Sequence, residues 1–115
     1  YSTIADIEDA RKRALRDLQI RLAILKGNRR SHKQKVENLQ AQAAEIERAG
    51  MEVDVDRLRS IEALQKKISA TDRAILDRQG EIKELEAAYA ADIERFEMLL
   101  EVLELRRSMS GRRSN

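Results

Sequence analysis

The stretch Arg48-Ala49-Gly50-Met51-Glu52-Val53-Asp54 divides the chain into two halves of similar length and decides its fold. Gly50 lacks a Cβ and can therefore adopt the left-handed backbone that closes many helices. Met51 can then fold back against the preceding turn. Asp54 can cap the start of a new helix, with Asp56 in its first turn, where the helix dipole favours an acid. The stretch therefore predicts the end of one helix and the start of another.

Seven-residue apolar ladders lie on both sides of this stretch. In the first half the spacing alternates between three and four residues, through Leu15, Leu18, Leu22, Leu25, Arg29, His32, Val36, Leu39, Ala43 and Ile46. In the second half the same alternation runs through Ile61, Leu64, Ile68, Thr71, Ile75, Arg78, Ile82, Leu85, Tyr89, Asp92, Phe96, Leu99 and Leu103. This spacing is the pattern of a coiled coil.

Folding the chain at Gly50 brings the two ladders face to face and pairs residues whose numbers sum to about 104. Val36 then faces Ile68, and Leu22 faces Ile82. The polar interruptions also meet, in the pairs His32 with Thr71 or Asp72 and Arg11 with Asp92 or Ile93. We therefore predict an all-α fold, a long antiparallel two-helix coiled-coil hairpin with its turn at about 49–54. The predicted helices cover about 3–49 and about 55–106.

The alternative is one continuous helix in a parallel coiled-coil dimer. The seam positions Val53, Arg57, Ile61 and Leu64 are spaced by four, four and three residues, which is a single stutter near 53–61 that would keep the helix unbroken. We favour the hairpin because Gly50 suits a helix end better than a seam position.

The composition also indicates long helices. Charged residues make up 38% of the chain and aromatic residues 3%, and proline, cysteine and tryptophan are absent. The sequence predicts one coiled-coil module over 1–106 and a basic, disordered tail over 107–115. The ladder keeps its phase through Gly27, so we predict a continuous helix there.

A first residue other than Met suggests a fragment or a processed product. No membrane span or signal peptide is evident, and an intracellular location is weakly favoured.

The sequence offers little for catalysis. It contains no phosphate-binding glycine loop, dinucleotide-binding glycine pattern, nucleophile elbow or zinc-ligand spacing. His32 is the only histidine, and its place in the ladder is that of a polar seam residue. We therefore predict no enzymatic activity, no catalytic residues, no metal site and no cofactor.

The end of the second half is apolar nearly all round and is the candidate partner interface. Its residues are Ile93, Phe96, Met98, Leu99, Leu100, Val102, Leu103 and Leu105. A helix that is apolar on several faces needs more than one neighbour. We therefore expect this end to bind a protein partner or a second copy of the chain.

A basic run near the middle of the first half is a second candidate site. It comprises Lys26, Arg29, Arg30, Lys33 and Lys35, and residues 26–35 contain no acid. Such a run could bind the phosphates of a nucleic acid, with affinity that falls steeply with salt. No aromatic residue interleaves with it, so stacking on bases is not expected there. A nucleic-acid-binding arm is therefore the alternative function.

Two resemblances add further alternatives. The predicted hairpin resembles in general form the small two-helix stalk proteins that serve flagellar and type III export ATPases. A short segment is similar to the conserved rod end of intermediate filaments, although that family has glycine where Val102 stands and its YRKLLEGEE core is largely missing here. The residues that carry this second resemblance are Ile93, Phe96, Leu99, Leu100, Glu101, Glu104 and Arg106. Our leading hypothesis is a structural coiled coil that acts as an oligomerisation element, spacer or partner-docking arm.

Overall fold

The computed structural model of the protein is an antiparallel two-helix hairpin, as the ladders predict. It describes the backbone of residues 2–113 and the side chains of residues 2–111. Helix α1 spans Ile4–Arg48 and helix α2 spans Val55–Arg113. Residues 49–54 are not helical, so the alternative of one continuous helix in a parallel dimer is wrong. Helix α1 runs without a break through Gly27, as the unbroken ladder phase predicts.

A Schellman motif closes α1 at the predicted glycine. The backbone N–H of Met51 donates to the carbonyl of Ile46 at 3.1 Å, and that of Gly50 donates to the carbonyl of Glu47 at 2.9 Å. Gly50 has a φ of 78°, in the left-handed region. The two bonds satisfy carbonyls that the end of a helix would otherwise leave without partners. The backbone therefore leaves the first helix at the point that the glycine permits.

Asp54 caps the start of α2. Its carboxylate accepts a hydrogen bond from the backbone N–H of Arg57 at 3.0 Å, and its carbonyl accepts one from Leu58 at 3.2 Å. The Arg57 guanidinium also donates to the Asp54 carboxylate, and its Nε donates to Gln42 of α1 at 3.2 Å. Asp54 and Arg57 therefore join the start of one helix to the end of the other.

The cap makes the helix start sensitive to acid. Partial desolvation raises the pKa of Asp54, but hydrogen bonds from the backbone N–H groups of Arg57 and of Asp54 itself, together with the Arg57 charge, lower it more. Its pKa therefore lies below the ordinary value of 3.8. Because the folded-state pKa is depressed, the stabilisation by the ionised cap is present above the unfolded-state pKa and is lost as the pH falls through the folded-state value.

We expect Asp54→Asn, which keeps a capping oxygen but removes the charge, to be less stable than the wild type at neutral pH. The difference in melting temperature should shrink as the pH falls below the ordinary pKa of an aspartate, because the wild type then loses its charge as well. Thermal unfolding followed by circular dichroism across this pH range measures the difference. A difference that stays constant into strong acid would show that the Asp54 charge does not contribute.

The outer ends of the helices differ from each other. At the start of α1, Thr3 Oγ1 accepts from the N–H of Asp6 at 3.1 Å, and the Asp6 carboxylate accepts from the N–H of Thr3 at 3.1 Å, a reciprocal capping box. Helix α2 continues to Arg113, beyond its predicted end at 106. The segment predicted as a disordered tail, 107–115, is helical as far as Arg113, and Ser114 and Asn115 lie outside the described residues. The sequence after 106 contains no proline, so nothing in it stops the helix.

The chain divides into two units, each an antiparallel pair of helical segments with the ladder residues between them. One unit joins Tyr1–Leu18 to Glu81–Asn115, and the other is Gln19–Gly80. In the first, Ile7 is 1% exposed and Leu15 is 4% exposed; in the second, Val36 is 7% exposed. Most other ladder positions are half-buried, because two helices leave much of each interface open to water.

The polar side chains pair differently from the sequence prediction. Arg11 lies 3.7 Å from the carboxylate of Glu86, whereas Asp92, its predicted partner, accepts from Arg95 at 2.7 Å. A long arginine side chain can reach any of several carboxylates within about one helical turn of its backbone position.

A similar exchange occurs in the second unit. Asp72, a predicted partner of His32, accepts from Arg29 Nε at 2.5 Å. The Nδ1 atom of His32 is buried and has no hydrogen-bond partner among the described residues. The ladder spacing thus predicts which segments face each other, but not which side chains bond.

Candidate functional site

Helix α2 extends past the beginning of α1. Ile7 of α1 lies in a depression that it forms with Asp92, Arg95, Phe96 and Leu99 of α2. Because α1 begins at Ile4, less than one helical turn before Ile7, the described part of the chain provides no helix to face α2 much beyond Leu99. The apolar residues that follow on α2 therefore have no cover within the hairpin.

We call residues 98–109 the apolar overhang. Every large hydrophobic side chain in it is exposed by 44–62% of its surface. These side chains are Met98, Leu99, Leu100, Val102, Leu103, Leu105 and Met109. Single exposed apolar residues are ordinary on protein surfaces, whereas here seven large ones lie within 12 consecutive residues.

The structure divides the predicted partner interface into two parts. Ile93 and Phe96 are half-buried and belong to the hairpin, where Phe96 lines the same depression as Ile7. The other predicted members, from Met98 to Leu105, lie on the overhang and are exposed. Met109 joins them because α2 is helical there. Met109 is not among the predicted interface residues because residues 107–115 were predicted to be a disordered tail.

The overhang has three faces. At about 100° per residue, Met98, Val102, Leu105 and Met109 fall on one stripe about 60° wide. Leu99 and Leu103 continue the ladder that faces α1, about 120° away from the stripe. The third face is acidic, and its Glu101 and Glu104 line a shallow open groove together with Leu100, Leu105 and Ser108. The residues of the acidic face are Glu97, Glu101 and Glu104.

Charge changes sign along the overhang. Residues 97–104 contain three acids and no base, whereas residues 105–113 contain four arginines and no acid. The N-terminal part of the overhang is therefore negative and the C-terminal part positive.

The predicted basic patch is only partly brought together. Arg29 is half-buried, and its guanidinium is paired with the carboxylate of Asp72 within the hairpin. Lys26, Arg30 and Lys33 are exposed and lie within about 60° of one another around α1. Lys35 lies at least about 140° from each of them. Three of the five predicted cations therefore share one exposed face.

The described residues contain no group of three or more histidine, cysteine, aspartate or glutamate side chains that could hold a metal ion. Neither helix, over its described length, is apolar enough to cross a membrane. Comparison with known proteins finds no family model, no curated protein and no solved structure that matches the chain. The geometry of the chain itself is therefore the basis for a proposal about its function.

Proposed function

We propose that the protein is a non-enzymatic assembly element, a coiled-coil hairpin whose apolar overhang binds another α-helix. The observation that carries this proposal is the run of large apolar side chains on α2 that the hairpin leaves 44–62% exposed. Burial of such side chains is the main driving force for helix association in water. The surface suits a helical partner, because its apolar residues recur at the spacing that lines one face of a helix.

The paired ladders and the apolar overhang have different roles in this proposal. The ladders hold α1 against α2, and α2 then carries the overhang beyond the start of α1 as a continuous helix. A helical segment as short as the overhang is only marginally stable when nothing packs against it in water. A partner that covers the overhang therefore also stabilises its backbone. The hairpin thus serves as the spacer and the overhang as the binding element.

We test the proposal by hydrogen–deuterium exchange at low and high micromolar concentrations of the 115-residue chain. The backbone amides of residues 98–109 should exchange more slowly at high concentration, because association orders and covers the overhang. The variant Val102→Glu/Leu105→Glu should lose this protection, since it would bury two carboxylates in the interface.

The matched control is Ile20→Glu/Ile24→Glu. These two residues are 50% and 57% exposed, lie outside the ladder of α1 and are far along the chain from the overhang. The control variant should keep the concentration-dependent protection of residues 98–109. Exchange in the overhang that is independent of concentration, or equally affected by both double variants, would contradict an assembly role for this surface.

The second candidate is a nucleic-acid-binding arm, favoured by the shared exposed face of Lys26, Arg30 and Lys33. Under this proposal the chain binds duplex DNA or RNA at low salt, and Lys26→Glu/Arg30→Glu/Lys33→Glu abolishes binding. Lys35→Glu, on another face of α1, should weaken it much less. Fluorescence anisotropy with a labelled duplex measures both variants, and an absence of binding by the wild type at low salt would remove this candidate.

A further inference from the structure

We infer that the helix bound by the apolar overhang is the overhang of a second copy of this chain, packed parallel and in register along the stripe of Met98, Val102, Leu105 and Met109. This inference rests on the proposed function and adds the identity, direction and register of the partner. Two features of α2 support it: the place of the stripe relative to α1, and the charges on the two edges of the stripe.

The stripe provides the apolar contact. Its four members are 46–62% exposed and follow one another at four, three and four residues, which is the spacing of consecutive layers in a coiled coil. Val102 and Met109 then occupy heptad position a, and Met98 and Leu105 occupy position d. The spacing suits a partner helix in either direction, so the direction depends on the residues beside the stripe.

The face of α2 that meets α1 is less suitable for a second copy. Its ladder loses its apolar residues after Leu103, because the next two ladder positions are Arg106 and Ser110. The stripe lies about 120° away from that face around α2. Two helices packed about 8–10 Å from α2 at this angle lie about 14–17 Å from each other, so a helix on the stripe clears α1.

The charges on the edges of the stripe favour the parallel direction. Glu101 lies about 70° from the centre of the stripe on one side, and Arg106 lies about 70° from it on the other. They occupy heptad position g and position e of the following repeat. In a parallel coiled coil these two positions lie beside each other across the interface, so Glu101 of each copy meets Arg106 of the other.

An antiparallel pair lacks these contacts. Reversal of one helix brings like edges together, so the edge with Glu101 meets the edge with Glu101, and the edge with Arg106 meets the edge with Arg106. Two-fold symmetry of the parallel pair instead forms both Glu101–Arg106 bridges at once, which is the match that a second copy requires. The stripe supplies most of the affinity, and the exposed bridges select the direction.

A disulfide tests direction and register, because the chain contains no cysteine. In the parallel pair the two copies of residue 98 share one layer, within the reach of a disulfide. Met98→Cys alone should therefore form a 98–98 disulfide in most of its chains under a thiol–disulfide redox buffer. The matched control is Leu100→Cys, on the side of α2 opposite the stripe, which should remain largely uncrosslinked.

A charge exchange tests the two edges. Glu101→Arg and Arg106→Glu each place like charges together at both edges, so each variant alone should dimerise on the order of tenfold more weakly than the wild type. An equimolar mixture of the two should recover the wild-type affinity, because both bridges re-form with their charges exchanged. Glu104→Arg and Arg107→Glu are the matched controls, at least about 130° from the centre of the stripe, and should need no mixing to dimerise.

Sedimentation equilibrium gives these affinities, and the masses of linked proteolytic peptides identify the disulfides. An antiparallel pair in register would hold the two copies of residue 98 about 11 residues of helix apart, or about 16 Å, and a mixture of Met98→Cys with Met109→Cys would then form mainly the 98–109 disulfide. That result, or equal behaviour of the two charge exchanges, would overturn the inference.

The exchange experiment separates the inference from the proposed function. If the overhang gains concentration-dependent protection but Met98→Cys forms no 98–98 disulfide, the inference fails and the assembly role stands with a different partner geometry. If the overhang gains no protection, both the assembly role and the inference fail.

Discussion

Replacing Ile7 by alanine is expected to lower the free energy of unfolding by about 2–3 kcal/mol. Ile7 is the most buried large side chain described, at 1% exposure, and it lines the depression together with Phe96 and Leu99. The loss combines the apolar surface returned to water with the contacts forfeited around the gap. We expect the lower part of the range for isoleucine-to-alanine changes, because the site opens to water and the gap can fill with solvent.

The matched control is Ile24→Ala. Ile24 is 57% exposed and lies outside the ladder, so its truncation should change stability by no more than about 0.5 kcal/mol. Urea unfolding followed by circular dichroism, at one fixed protein concentration, gives both values. Equal losses at the two positions would contradict the description of Ile7 as a core residue of the hairpin.

Alanine substitutions at two glycines are expected to have opposite signs. Gly50→Ala should destabilise the protein by about 1 kcal/mol or more, because φ at this position is 78° and a residue with a Cβ is strained in the left-handed region. Gly80→Ala should stabilise it by about 1 kcal/mol, because alanine has the higher helix propensity. An added Cβ at Gly80 meets no atom within 4 Å, so packing does not oppose the gain.

The pair of glycine variants tests the turn without disturbing the ladders. Space is not the difference between them, since an added Cβ at Gly50 also meets no atom within 4 Å. Only the backbone conformation separates the two positions. If Gly50→Ala were as stabilising as Gly80→Ala, the backbone would be helical at residue 50, and the hairpin turn would be wrong.

The turn and the helix pairing could be predicted from the sequence because both depend on local or periodic patterns. A left-handed glycine followed by a capping aspartate is a local signal, and it locates the turn to within a residue or two. The ladders then determine which faces meet, since a slip of the pairing would expose apolar residues and bury charged ones.

The ion pairs could not be predicted in the same way. Arg11 lies near Glu86 rather than Asp92, and Arg29 rather than His32 bonds Asp72. Spacing constrains the backbone, whereas the rotamers of long charged side chains decide these contacts.

The exposure of most of the candidate site could be predicted, because a helix that is apolar on all sides cannot be covered by one other helix. The sequence did not show that Ile93 and Phe96 are half-buried within the hairpin, since the start of α1 determines how far α2 is covered. Nor did it show that Met109 belongs to the overhang. The loss of apolar periodicity after Arg106 predicted disorder there, whereas α2 remains helical to Arg113.

Sedimentation equilibrium of the unmodified chain over the micromolar range tests the assembly role most directly. We expect the mean mass to rise with concentration towards twice the mass of the 115-residue chain, as burial of two overhangs in one interface requires. Val102→Glu/Leu105→Glu should remain at the mass of one chain under the same conditions. A wild-type chain that stays monomeric at high micromolar concentration would contradict self-assembly through the apolar overhang.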